Sequence, residues 1–195
     1  DVSSGTEFTA MFANASAFNQ DISNWDVSNG TDFSYMFSRA TAFNQDLTNW
    51  DVSSSNNFGS MFRSNTSFNG DVSGWDVSAG LDFSYMFSDT SSLDQDLSNW
   101  NVGSATDMLG MFYGTSNFNS DLSSWDVSNV TTFLGMFHDA TTFDQNLSLW
   151  DVSAANSLVN MFSGTAMIDS QGISSTPNTS YFDATTGNDI IRGSA

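Results

Sequence analysis

The residues best equipped for chemistry are a tryptophan and an acid side by side, repeated down the chain. Trp25–Asp26, Trp50–Asp51, Trp75–Asp76, Trp100–Asn101, Trp125–Asp126 and Trp150–Asp151 recur every 25 residues. An indole offers a sugar a flat platform, and a carboxylate offers a hard cation its oxygens. The bland alternative is scaffold: an inward indole and an acid that bonds the backbone N–H two residues on, as in an Asx-turn. Asn101 can accept that bond but cannot neutralise calcium.

Two further columns share this ambiguity. Asp21, Asp46, Asp71, Asp96, Asp121 and Asn146 precede each Trp by four residues, and Asn19, Asn44, Asn69, Asp94, Asn119 and Asp144 lie two residues earlier. Free exchange of Asn with Asp points to side-chain oxygens that satisfy loop backbone. Irregular columns carry more information about ligands, because scaffold positions must repeat and recognition positions need not. The variable places are Tyr35 and Tyr85, Arg39 and Arg63, and Tyr113 and His138. The ligand candidates are therefore Asp26, Asp51, Asp76, Asp126, Tyr35, Tyr85, Tyr113 and His138. Asp26 and Asp51 are also candidate calcium ligands. Catalysis is not expected: His138 is the sole His, and no phosphate-cradling glycine loop or zinc spacing occurs.

These residues must be positioned by a repeat. Met-Phe pairs begin at 11, 36, 61, 86, 111, 136 and 161, in register with Trp. Constant spacing without insertions is the signature of stacked coils. Phe33, Met36, Phe37 and Ala40 have the i, i+3, i+4, i+7 spacing of one helix face, and Asp32 suits the positive end of that helix. Trp25 and Val27 alternate as in a strand, with Ile22 one turn earlier. The expected architecture is a leucine-rich-repeat-like solenoid of about seven coils, each with a short parallel β-strand and a short helix. Phe18, Ile22, Trp25, Val27, Phe33, Met36, Phe37 and Ala40 should fill the core of one coil. The solenoid should run over 1–162. Residues 163–195, where Ser175 replaces the expected Trp and the sole Pro, Pro177, follows, should be a C-terminal cap and linker.

Composition narrows the partners. The chain has 195 residues, 22 acids, 3 Arg and no Lys, for a net charge of −19. Such a surface repels nucleic acid and anionic membranes and attracts cations. Cysteine is absent, which excludes disulfide and thiolate chemistry. No apolar run is long enough to span a bilayer as a helix. The chain starts inside a repeat and reads as a fragment of something longer.

The stretch "FNQDLTNWDVSSSNNFGSMF", from Phe43 to Phe62, resembles the 25-residue repeats of bacterial surface proteins of the mycoplasma-lipoprotein and BspA-like leucine-rich-repeat type. That resemblance covers Asp1 to about Phe162 and implies a repeat module on a bacterial cell surface. One feature departs from it: the usual leucine-rich Asn is replaced by Gly30, Ser55, Gly80, Ala105 or Val130. The end of the chain, "TGNDIIRGSA", resembles a calcium-binding RTX half-repeat, which implies Asp189 as a calcium ligand and a large secreted adhesin. The expected function is a non-enzymatic extracellular adhesion module that binds a host or surface protein or glycan beside neighbouring adhesin domains. A structural spacer or cap next to an RTX block is the alternative. An ice-binding array is more remote, since it needs flat Thr ranks and here Ser and Asp intervene.

Overall fold

The computed structural model describes residues 1–183. Successive coils lie in parallel at a register of 25 residues. One isolated bridge joins each pair, from Glu7↔Asp32 through Thr132↔Ser157. Four backbone N–H groups per coil donate to the next: Phe33 to Asn57, Tyr35 to Gly59, Phe37 to Met61 and Arg39 to Arg63, at 2.8–2.9 Å. The repeat expected from the sequence is therefore present as a stack of coils.

The internal build of each coil corrects the expectation. No strand exceeds a single bridged residue among the described residues, and the repeats contain no α-helix. The leucine-rich-repeat-like solenoid of one strand and one helix per coil is not formed. The segment expected to be helical is a ribbon of β-turns. Met36 N–H bonds Phe33 O, Ser38 bonds Tyr35 and Ala40 bonds Phe37, each closing three residues back. Tyr35 and Arg39 both have φ 58°, the sign a type II turn needs at its third residue. A left-handed residue every fourth position forbids a helix. The alternate N–H groups, freed from the turns, point along the stack and join the coils.

The expected strand fails for a related reason. Trp50 N–H closes on Leu47 O and Ser55 N–H closes on Val52 O. The Trp–Val segment therefore lies between two turns that use these N–H groups locally. The single parallel bridge falls seven residues after each Trp, at the column of Asp32, Asn57 and Asp82.

Side chains fill the coil in columns. Phe37 stacks on Phe62 in the next coil at 5.5 Å between ring centroids, and on Phe43 within its own coil at 4.1 Å. Trp50, Trp75, Trp100, Trp125 and Trp150 form a parallel ladder at 6.4–6.5 Å. Ile22, Val27, Phe33, Met36, Phe37 and Ala40 are buried, while Phe18 and Trp25, in the first coil, pack against the core half-exposed.

At the far end, α1 (Met167–Gln171) ends at Gly172, which has φ 66°. Met167 and Phe182 enter the core cluster, and the Tyr181 ring meets Phe162 edge-on at 5.9 Å. Ser175 O and Thr176 Oγ1 accept the N–H groups of Phe162 and Asn160, the roles a following coil plays elsewhere. The RTX-like segment and Asp189 lie outside the described residues.

Candidate functional site

The Trp column is structural. Each interior indole is nearly buried, Trp75 at 4 % exposure and Trp150 at 1 %. Its Nε1–H donates to a carbonyl 28 residues earlier: Trp50 to Ile22, Trp75 to Leu47, Trp100 to Val72, Trp125 to Leu97 and Trp150 to Leu122, at 2.9–3.1 Å. An indole held this way presents no face to a sugar.

The acids beside them are exposed and locally occupied. Asp26 Oδ1 accepts from Ser28 N–H at 3.2 Å and from its hydroxyl at 2.7 Å. Asp51, Asp76 and Asp126 accept from Ser53, Ser78 and Ser128 in the same way, and Asn101 from Gly103 N–H. The hydroxyl and amide donors hold the Asp26, Asp76 and Asp126 carboxyls below the ordinary Asp value of 3.8. For Asp21, Asp71 and Asp121 the leading cause is the backbone N–H of Ser23, Ser73 and Ser123. The Asn19 column acts between coils: Asn44 N–H donates to Asn19 Oδ1 at 2.9 Å, and Asn69 N–H to Asn44 Oδ1 at 2.7 Å.

A fourth acidic column carries the bridges and was not foreseen as such. Asp32 Oδ1 takes Ser34 N–H at 2.7 Å, and Asn57, Asp82 and Asp107 repeat this. Asn57 Nδ2 also donates to Asp32 Oδ2 at 3.0 Å. Asp32 thus pins a turn and does not face a helix end. Asp107 is half-buried, and burial raises its carboxyl above 3.8. Among the described residues no group of three or more His, Asp or Glu is placed to hold a metal ion.

The irregular residues gather on one face, the outer side of the turn ribbon. Tyr35 and Tyr85 occupy the same column two coils apart, with Ser60 between them. Tyr35 is 49 % exposed. Their φ angles, 58° and 54°, are strained for bulky side chains. Elsewhere this column uses Ala10, Ser60, Gly110, Gly135 and Asn160. Gly110 is required by close approach, since a Cβ there would lie 2.5 Å from the Tyr85 ring. Three positions along from Ser60, Arg63 holds its guanidinium 4.9 Å from the Tyr85 ring centroid. In the same column as Arg63, Tyr113 and His138 stack at 4.7 Å, with His138 Nδ1 3.2 Å from the Asp139 carboxylate.

The structure therefore brings Tyr35, Tyr85, Tyr113 and His138 onto one face and leaves Asp26, Asp51, Asp76 and Asp126 on another run of turns. Arg63, which shares the column of Tyr113 and His138 in the sequence and is expected from it to form a polar-aromatic patch with them, and Arg39, noted there only as variable, join the first group. The available signal was that both break their columns in the same stretch as the tyrosines.

A turn-built stack with one irregular face defines a repeat protein whose scaffold columns are consumed internally. A family model described as "Mycoplasma protein of unknown function, DUF285" matches residues 1–93 and 71–176. The chain belongs to that family. No curated protein and no solved structure matches it.

Proposed function

We propose that this chain is a non-enzymatic binding module of a bacterial surface adhesin, displayed outside the cell. The turn-ribbon face is its recognition surface for a protein or glycan. The observation that carries this reading is the contrast between the columns. The repeated Trp, Asp and Asn side chains bond their own scaffold. The strained tyrosines, the stacked Tyr113–His138 pair and both described arginines break the repeat on a single face. Tyr35 and Tyr85 place large rings where the other coils carry Ala10, Ser60, Gly110, Gly135 and Asn160 at the same positive φ. Family membership and an acidic, cysteine-free composition support a bacterial surface setting. The RTX context rests on the resemblance of the final ten residues alone.

A glycan and peptide array probed with the isolated chain tests the reading. Saturable binding that is lost on substituting face residues supports it. Uniform absence of binding would favour the spacer role, to which the covered C-terminal end also suits the chain.

A further inference from the structure

Besides His138, Arg39 and Arg63 are the only basic side chains among the described residues, on a chain with 22 acids. Neither forms an ion pair: among the described residues the one close contact between a basic side chain and a carboxylate is His138 with Asp139. Neither guanidinium donates a hydrogen bond to any described group; Arg63 rests on the Tyr85 ring instead. The two residues are rooted at one point, because Arg39 N–H bonds Arg63 O at 2.8 Å across adjacent coils. Tyr35 lies four residues before Arg39 in the second coil, and Tyr85 lies beneath Arg63 from the fourth. Between them the ribbon carries only the small Ser60 and Ser64. Two coils at about 4.8 Å each separate the two tyrosine positions by roughly 10 Å, and the Arg63 guanidinium lies within that interval on the Tyr85 ring.

We propose that Tyr35, Arg39, Arg63 and Tyr85 form a subsite for a carboxylated sugar, deepening the reading of this face as the recognition surface and resting on it. A guanidinium is built to hold a carboxylate in bidentate fashion. Guanidinium edges left unpaired on a chain of net charge −19 are a feature the acidic scaffold does not need. The exposed Tyr35 ring supplies an apolar plane for the C–H face of the sugar. The wider negative charge acts against anions at long range, but at physiological salt it is screened beyond about 8 Å. A small monoacid reaches the arginines, whereas a polyanion such as nucleic acid is repelled along its length.

The test is ligand-observed and protein-observed NMR titration of the whole chain with galacturonic acid and N-acetylneuraminic acid. Galactose serves as the uncharged control and acetate as the ringless one. The expected result is saturable shifts at Tyr35, Tyr85 and the Arg side-chain N–H groups with an acid sugar, at least about tenfold weaker with either control. R39Q/R63Q, which keeps the stems, should weaken binding at least about tenfold, and Y35S, which adopts the residue of Ser60, should weaken it as well. Unchanged melting of both variants would show that the fold is intact. Equal shifts with acetate, or undiminished binding by R39Q/R63Q, would overturn the subsite. Binding of a neutral glycan or a peptide at these residues without the acid sugars would overturn the ligand class and leave the recognition face standing. No perturbation of the face by any array ligand would remove both.

Discussion

The indole nitrogen of Trp75 donates to the carbonyl of Leu47, 3.0 Å away and 28 residues earlier. This bond ties the middle of one coil to the turn of the coil before it. It also explains why Trp, and not Phe, recurs in the column.

Replacing Trp75 by Phe should therefore cost about 2–4 kcal/mol, from a buried carbonyl left without its donor and a gap in the ladder. Trp25 is half-exposed and its Nε1 makes no hydrogen bond among the described residues, so Trp25→Phe should cost under about 1 kcal/mol. Urea denaturation of the two variants checks the difference. Equal losses would show that the indole N–H contributes nothing.

Ser64 separates a turn ribbon from a helix. Its φ is 57°. In a helix, Ser64→Gly would destabilise by about 0.5–1 kcal/mol. At a left-handed position glycine carries no such penalty, and the melting temperature should hold or rise. A clear fall would support the helix.

Asn65 is fully buried, and neither its Nδ2 nor its Oδ1 has a hydrogen-bond partner. Its column neighbour Thr90 places a hydroxyl on Phe62 O at 2.8 Å. Asn65→Thr should stabilise by about 1–2 kcal/mol, since an unsatisfied buried polar group costs that much. Calorimetry reads the shift, and a lower melting temperature would show that the amide is better accommodated than its surroundings indicate.

Acid should loosen the stack. Asp21, Asp26, Asp71, Asp76, Asp96, Asp121, Asp126 and Asp151 all titrate below 3.8 because Ser hydroxyls and N–H groups bond the ionised form. Groups lowered on folding contribute stability above their unfolded value, and that stability is lost as pH falls through the folded one. Asp107, raised by burial, has the opposite sign but stands alone. The melting temperature should drop as pH goes below 3.8. Neighbouring charge ranks last among the causes where it enters, so relief of repulsion should not reverse the trend. Asp76→Asn and Asp126→Asn should melt near wild type at neutral pH, as Asn101 already serves its turn, and should lose part of the acid sensitivity. A melting temperature that rises in acid would contradict the assignment.

The sequence carried the repeat plainly, because a 25-residue register survives in Trp, Met-Phe and Val together. It also carried the inward direction of Leu47, Trp50 and Val52. The local conformation was hidden by a degeneracy. Phe33, Met36, Phe37 and Ala40 have helical spacing, yet a turn ribbon with a four-residue period buries the same positions. The signal against a helix was Gly110 with Gly114, and Asn160 with Gly164: residues suited to positive φ, four apart, in the supposed helix. The role of the Asp32 column is hidden for the same reason, since it follows from the turn that Asp32 closes. On the candidate site, the acids beside Trp were visible by their regularity, but only the hydrogen bonds showed that their oxygens were taken. The closeness of Arg63 to Tyr85 depends on which coils are adjacent and could not be read from spacing that separates them by 22 positions.

The proposed recognition surface is the irregular face and not the repeated acids. The direct measurement is array binding by three proteins: wild type, R63Q/Y113S/H138S and D76N/D126N. Saturable binding by wild type and D76N/D126N, lost in R63Q/Y113S/H138S with its melting temperature intact, is the predicted result. Binding that follows the aspartates, or none by any of the three, would contradict it.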